Sequence, residues 1–193
     1  MRICVYGAAS PTIDKGYIKK VEEMGKIMVE RGHSLVFGGG GNGLMGAAAR
    51  GVRENGGYIV GVIPQFFENE SVEEICDFCD ELIKPDTMRE RKQIMEDNSD
   101  AFIVTPGGIG TYEEFFEILT LKQLCRHNKP IALYNINGFY DDISAAMDSA
   151  IKKNFIKEDC RELFFVTESV EELFAYIESP VRETRTIKDL KEG

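Results

Sequence analysis

Apolar positions along this chain recur in two rhythms. Short apolar runs at Ile3–Tyr6, Leu35–Phe37, Tyr58–Ile63, Ala101–Thr105, Pro130–Tyr134 and Phe164–Val166 alternate with longer stretches in which apolar residues return every three or four positions. The first rhythm predicts buried strands, and the second predicts helices with one face turned to a core. Tyr17, Val21, Met24 and Met28 mark one such face, on a helix ending near Arg31-Gly32. Further helices are expected over Leu44–Glu54, Thr87–Asn98, Thr111–Leu124, Asp141–Lys153 and Ser169–Ile177, with a short strand over Glu81–Lys84. Strand and helix in alternation give a parallel sheet wrapped by helices. The expected architecture is a single Rossmann-like, doubly wound α/β domain spanning 1–180, with about six or seven strands, mainly parallel. No repeat or linker divides the chain, and 181–193 reads as a charged, solvated tail. Ligands of such folds bind at the carboxyl ends of the strands, where strand order reverses.

Length and charge narrow the picture. The 193 residues suit one domain. With 33 acidic against 23 basic side chains, the net charge of −10 argues against a nucleic-acid polymer or an anionic membrane as partner. It does not exclude a small anion, since a few local cations overrule a global sign. No apolar run reaches the length of about 18 residues that a membrane span needs, and Met1–Gly7 is broken too early for a secretory signal. Five cysteines, an odd number, suit reduced thiols in a cytoplasmic protein. Cys76 and Cys79 lack the further ligands of a structural zinc site, His33 and His127 being the only histidines, so they read as two unconnected thiols. Neither a metal nor a cofactor is expected.

Two glycine-rich loops carry the candidate chemistry. Gly38-Gly39-Gly40-Gly41 runs into Gly41-Asn42-Gly43-Leu44-Met45-Gly46, a G-x-G-x-x-G match between strand and helix. No carboxylate ends the next strand, which closes Ile63-Pro64-Gln65, so a dinucleotide site is not supported. The second loop, Pro106-Gly107-Gly108-Ile109-Gly110-Thr111, also lies between strand and helix and lacks the G-K-[ST] of an ATP-binding loop. Gly107, Gly108, Gly110 and the Thr111 hydroxyl form a cup of donors at a helix N-terminus, suited to one phosphate monoester. Glu113 and Glu114 follow, in the expected first turn. Adjacent helical residues point about 100° apart, so one of the two faces the cleft, and spacing does not choose between them. Met88-Arg89-Glu90-Arg91-Lys92 places three cations at another helix start, where they oppose the dipole; beside a phosphate cup they suit an anionic substrate.

Pro106-Gly107-Gly108-x-Gly110-Thr111-x-x-Glu114 resembles the P-G-G-x-G-T-x-x-E signature of the LONELY GUY family, the cytokinin riboside 5′-monophosphate phosphoribohydrolases. Met88-Arg89-Glu90-Arg91-Lys92 is similar to that family's M-H-x-R-K motif, with Arg89 in place of its histidine. The glycine stretch through Gly46 and Gly61-Val62-Ile63-Pro64 also resemble the family pattern, and the likeness runs from about Arg2 to Ile177. The resemblance implies hydrolysis of the N-glycosidic bond of a nucleoside 5′-monophosphate, AMP or an N6-substituted AMP, to free base and ribose 5-phosphate. It implies Arg91 and Glu114 as the catalytic pair, and Gly107, Gly108, Gly110 and Thr111 at the 5′-phosphate. Met88, Lys92, Gly43 and Leu44 would line the nucleotide pocket. It further implies a homodimer or larger homo-oligomer with sites near the interface. Lysine decarboxylation, once ascribed to relatives, lacks a pyridoxal-phosphate lysine here. Phe66 and Phe67 could line the pocket, form an interface or pack against the sheet. Two rivals stay open: a Rossmann-like nucleotide-binding or carrier protein without turnover, and an enzyme acting on another phosphorylated ribose compound.

Overall fold

The computed structural model describes residues 1–70, 74–180 and 186–191. Elements follow in the order β1 (Arg2–Tyr6), α1 (Lys15–Glu30), β2 (Ser34–Phe37), α2 (Gly43–Glu54), β3 (Ile59–Val62), α3 (Gln65–Glu70), β4 (Glu81–Ile83) and α4 (Met88–Asp97). The chain continues with β5 (Ala101–Val104), α5 (Ile109–Gln123), β6 (Ile131–Tyr134), α6 (Asp141–Lys152), β7 (Phe165–Thr167), α7 (Val170–Glu178) and α8 (Ile187–Lys191). The seven strands form one sheet in the order β4-β3-β2-β1-β5-β6-β7, and every pairing is parallel.

Helices cover both faces, which is why the central strands are apolar throughout and do not alternate. Ile3, Val5, Leu35 and Phe37 point to the side covered by α1 and α2, together with Met24, Met28, Ala48 and Val52. Cys4, Tyr6, Phe102 and Val104 point to the other, with Met95 of α4 and Phe115 of α5. The chain builds outward from β1 to β4, then returns to lay β5 on the opposite edge of β1. Strand order therefore reverses between β1 and β5, and the loops after these two strands form the crevice.

Two sequence expectations need adjustment. The stretch after β3, where no element is expected above, contains the short helix α3. The end of the chain is not wholly a solvated tail: α8 folds back, and Leu190, 2% exposed, joins the core beside Phe115 and Leu163. Cys160 Sγ and the Leu190 carbonyl lie 3.4 Å apart, and Lys157 Nζ donates to the Lys188 carbonyl at 2.9 Å. Residues 181–185 and 192–193 of the expected tail lie outside the described residues. Among the described residues no helix is long and apolar enough to cross a membrane.

Candidate functional site

Thr87 caps α4 through a capping box: its hydroxyl accepts the Glu90 N–H, and Glu90 in return accepts from Thr87 N–H. This fixes the entry of α4 and satisfies donors that three nearby cations would otherwise oppose. One turn in, Arg91 points inward and is only 5% exposed. Its Nε donates to the Val62 carbonyl at 3.1 Å, and its Nη2 donates to the Gly38 carbonyl at 3.0 Å. The guanidinium also lies 5.4 Å from the Phe67 ring centroid, which answers where that side chain goes: it packs on the candidate catalytic cation. Carbonyl dipoles and an aromatic face fix the orientation of Arg91 but do not neutralise its charge. A buried cation held this way is a centre of positive potential ready for an anion.

Glu113 and Glu114 separate cleanly. Glu113 is exposed and forms an ion pair with Lys92, and Glu117, one turn on, binds the same ammonium at 2.8 Å. Desolvation pulls the Lys92 ammonium down, but the hydrogen bonds to Glu113 and Glu117 outweigh it, so Lys92 titrates above an ordinary lysine. Lys92 thus ties α4 to α5. Glu114, rotated from that face, is half-buried. Burial raises the Cys4 thiol. Arg91 is held at the carboxyl ends of β2 and β3, and Glu114 stands on the helix that leaves the carboxyl end of β5. Because α5 begins at Ile109, Glu114 stands in its second turn rather than its first.

The crevice itself is stitched across the point of reversal. Ala8 N–H donates to the Pro106 carbonyl at 3.2 Å, and Thr105 Oγ1 donates to the Tyr6 carbonyl at 2.9 Å. At the start of α5, a Cβ on Gly108 or Gly110 would meet nothing within 4 Å, so both open onto free space at a helix N-terminus. Gly107 differs, since a Cβ there would come within 2.1 Å of Thr111 Oγ1. Thr111, 4% exposed, braces the loop from beneath, so the cup presents mainly backbone donors.

The first glycine loop does not supply the open donors its motif suggested. Leu44 is fully buried, and its N–H donates to the Ala8 carbonyl at 2.7 Å; Met45 N–H reaches the same oxygen at 3.3 Å. Gly43, at φ +60°, lies so close to the β1 loop that a Cβ would fall 2.3 Å from Ala8 O. Gly43 and Leu44 pack against the loop that follows β1. Met88 and Arg89 are exposed at the mouth. Gly38 and Val62 stand within the quoted motifs, but their role as carbonyl anchors of Arg91 does not follow from them. Backbone partners leave no side-chain signature; only the glycine run hinted at close approach. Among the described residues no group of three or more His, Cys, Asp or Glu could hold a metal ion.

Residues 45–177 match the family described as possible lysine decarboxylase. Over 182 residues the chain is 39% identical to the cytokinin riboside 5′-monophosphate phosphoribohydrolase LOG of Oryza sativa subsp. japonica, covering 94% of this chain and 74% of the rice protein. The cytokinin riboside 5′-monophosphate phosphoribohydrolase of Mycobacterium tuberculosis is 41% identical over 171 residues, covering 88% of this chain and 89% of its own. Among solved structures, a molybdenum cofactor binding protein from Rippkaea orientalis superposes with a TM-score of 0.69 at 21% identity, over 92% of this chain and 94% of that one. At that identity the likeness is one of fold.

Proposed function

This chain belongs to the LONELY GUY family of cytokinin riboside 5′-monophosphate phosphoribohydrolases, and from that premise we propose that it hydrolyses the N-glycosidic bond of a nucleoside 5′-monophosphate. The products are the free base and ribose 5-phosphate, and the substrate is AMP or an N6-substituted AMP. One observation supports the assignment of the site: a buried guanidinium is held by the Gly38 and Val62 carbonyls at the carboxyl ends of β2 and β3, the same edge of the sheet from which α5 carries the half-buried Glu114.

The roles follow from the chemistry. Gly107, Gly108 and Gly110 bring the first backbone N–H groups of α5 to the 5′-phosphate, where the helix dipole adds to their attraction. Thr111 holds that loop in shape. Cleavage of the glycosidic bond builds positive charge on the ribosyl ring. Glu114 stabilises that charge and orients the attacking water. Arg91, fixed by Gly38 and Val62, offers its remaining donors to substrate phosphate or to the departing base. Lys92 acts indirectly, by holding α5 against α4, and Met88 and Arg89 border the base side.

The enzyme works as a cytoplasmic homodimer in this reading. Ile109, 90% exposed at the tip of α5, stands with Met88 and Phe116 as exposed apolar side chains on the two helices that carry the site. A second copy laid over them would remove that surface from water and close the mouth.

The test is incubation with a panel of nucleoside 5′-monophosphates and the matching nucleosides, with base release followed by chromatography. Release from monophosphates but not from nucleosides supports the reading. Tight binding without release would instead favour a carrier.

A further inference from the structure

Cys76-Asp77-Phe78-Cys79, whose spacing suggested two unconnected thiols, is a tight turn centred on Asp77 and Phe78. A four-residue turn brings its end Cα atoms within about 7 Å, and disulfides usually join Cα atoms about 4.4–6.8 Å apart. The two residues meet within the turn: the Cys79 thiol donates to the Cys76 carbonyl oxygen, with Sγ 3.9 Å away. β3 makes room beneath them at Gly61, where a Cβ would sit 2.9 Å from Cys79 Sγ. Both cysteines are free thiols.

The turn is clamped at both ends. Cys76 N–H donates to the Gly39 carbonyl at 2.8 Å, and Gly41 N–H donates to the Glu74 carbonyl at 2.7 Å. On the far side, Asp80 N–H donates to the Ile59 carbonyl at 3.0 Å, and the Asp80 carboxylate accepts Ile59 N–H at 2.9 Å. The backbone of the turn is therefore hydrogen-bonded to the residue that follows Gly38, whose carbonyl anchors Arg91.

We propose that Cys76 and Cys79 are a modification site: oxidation by peroxide closes them into a reversible disulfide within the turn, which disturbs the Gly38–Arg91 anchor and lowers turnover. The hydrogen bond from Cys79 holds the Cys76 thiol below the ordinary thiol range, against the effect of burial, and so enlarges the thiolate fraction near neutral pH. In the first step one thiolate attacks hydrogen peroxide, the O–O bond breaks, and a sulfenic acid forms with release of hydroxide. The second thiol then attacks that sulfur. The S–O bond breaks, the S–S bond forms, and water leaves with the thiol proton. Two thiols are oxidised and one peroxide is reduced to two waters. The two sulfur atoms must close to about 2.05 Å. The clamps transmit that movement to Gly39 and Gly41. An external dithiol reverses the step.

The effect on turnover rests on the hydrolase reading; formation of the disulfide does not. Full-length enzyme is treated with hydrogen peroxide, alkylated, digested and mapped by mass, and kcat/KM for AMP is measured before and after. The expected result is a peptide carrying both cysteines that is two hydrogens lighter and resists alkylation until treated with dithiothreitol, together with a severalfold fall in kcat/KM that dithiothreitol restores. Cys79→Ser should abolish the response to peroxide, whereas Cys125→Ser, which changes an exposed thiol, should retain it. Alkylation of both Cys76 and Cys79 under conditions that oxidise Cys125 would overturn the disulfide. Equal kcat/KM in the closed and reduced forms would overturn the coupling. If the reduced enzyme releases no base, the hydrolase reading fails separately, and the coupling is read from the rise in Tm that AMP produces; an equal rise in both forms would overturn it.

Discussion

Arg91 occupies the space that a side chain on residue 38 would need. Its Nη2 lies 3.0 Å from the Gly38 carbonyl oxygen and 1.9 Å from the position of a Cβ on that glycine. The first glycine run thus does its work by admitting an arginine from α4 to the end of β2.

Gly38→Ala should displace the guanidinium and lower kcat/KM by about 10²-fold, the scale of losing one preorganised electrostatic contact. The double variant Gly38→Ala/Arg91→Ala should be no slower than Arg91→Ala alone, because the two act through one contact. Kinetics of the three variants, with circular dichroism as the check on folding, decide the point. Additive losses would separate the two residues.

Glu114→Gln should lower kcat by about 10²–10³-fold with the fold intact. Glu113→Gln loosens an exposed ion pair with Lys92, a contact of the kind worth about 0–1 kcal/mol. It should leave kcat within a factor of a few and lower Tm only slightly. Steady-state kinetics of the pair would show the reverse order if Glu113 faced the substrate.

The glycines divide into supporting and exposed ones. Gly43→Ala forces a Cβ against the Ala8 carbonyl at a positive φ, a strain of about 1–3 kcal/mol, and should lower Tm by roughly 3–10 °C. Gly108→Ala meets open space, so Tm should hold while KM for a monophosphate substrate rises. Thermal melts and KM values measured together test both halves.

How much of this was legible in the sequence differs by kind of interaction. Strands such as Ile3–Tyr6 and Ala101–Thr105 stand out because both of their faces are buried, and the shift between apolar rhythms marks the helices. The second glycine loop and Glu114 were readable because glycines and a charged side chain carry their chemistry in their identity. In the first loop the Leu44 and Met45 N–H groups donate to the Ala8 carbonyl, a contact between segments far apart in the chain that the motif does not encode. Likewise, spacing alone does not show that Glu113 and Glu117 face Lys92 across two helices. The docking of Leu190 depended on a core built by more distant residues and left only one apolar position in a charged stretch.

Acid should weaken the fold through His127. Burial lowers its imidazole to about pKa 4, with Lys122 and Lys129 adding in the same direction. Its Nε2 donates to the Ile118 carbonyl at 2.8 Å, and its Nδ1 accepts from Lys129 N–H at 3.2 Å, so protonation costs the second bond. The unfolded chain takes up this proton near pH 6.5 and the folded chain near 4, so stability is complete above about pH 6.5 and falls as pH drops toward 4. His127→Gln should flatten the decline of Tm between pH 7 and 5. An unchanged slope would assign the acid sensitivity to other groups.

The most direct measurement follows AMP incubated with the purified enzyme and with Glu114→Gln, quantifying adenine and ribose 5-phosphate together. Equimolar release of both products by the wild type, reduced at least about 10²-fold in the variant, is the expected result. Nucleotide bound and recovered unchanged, or products released equally by both proteins, would contradict it.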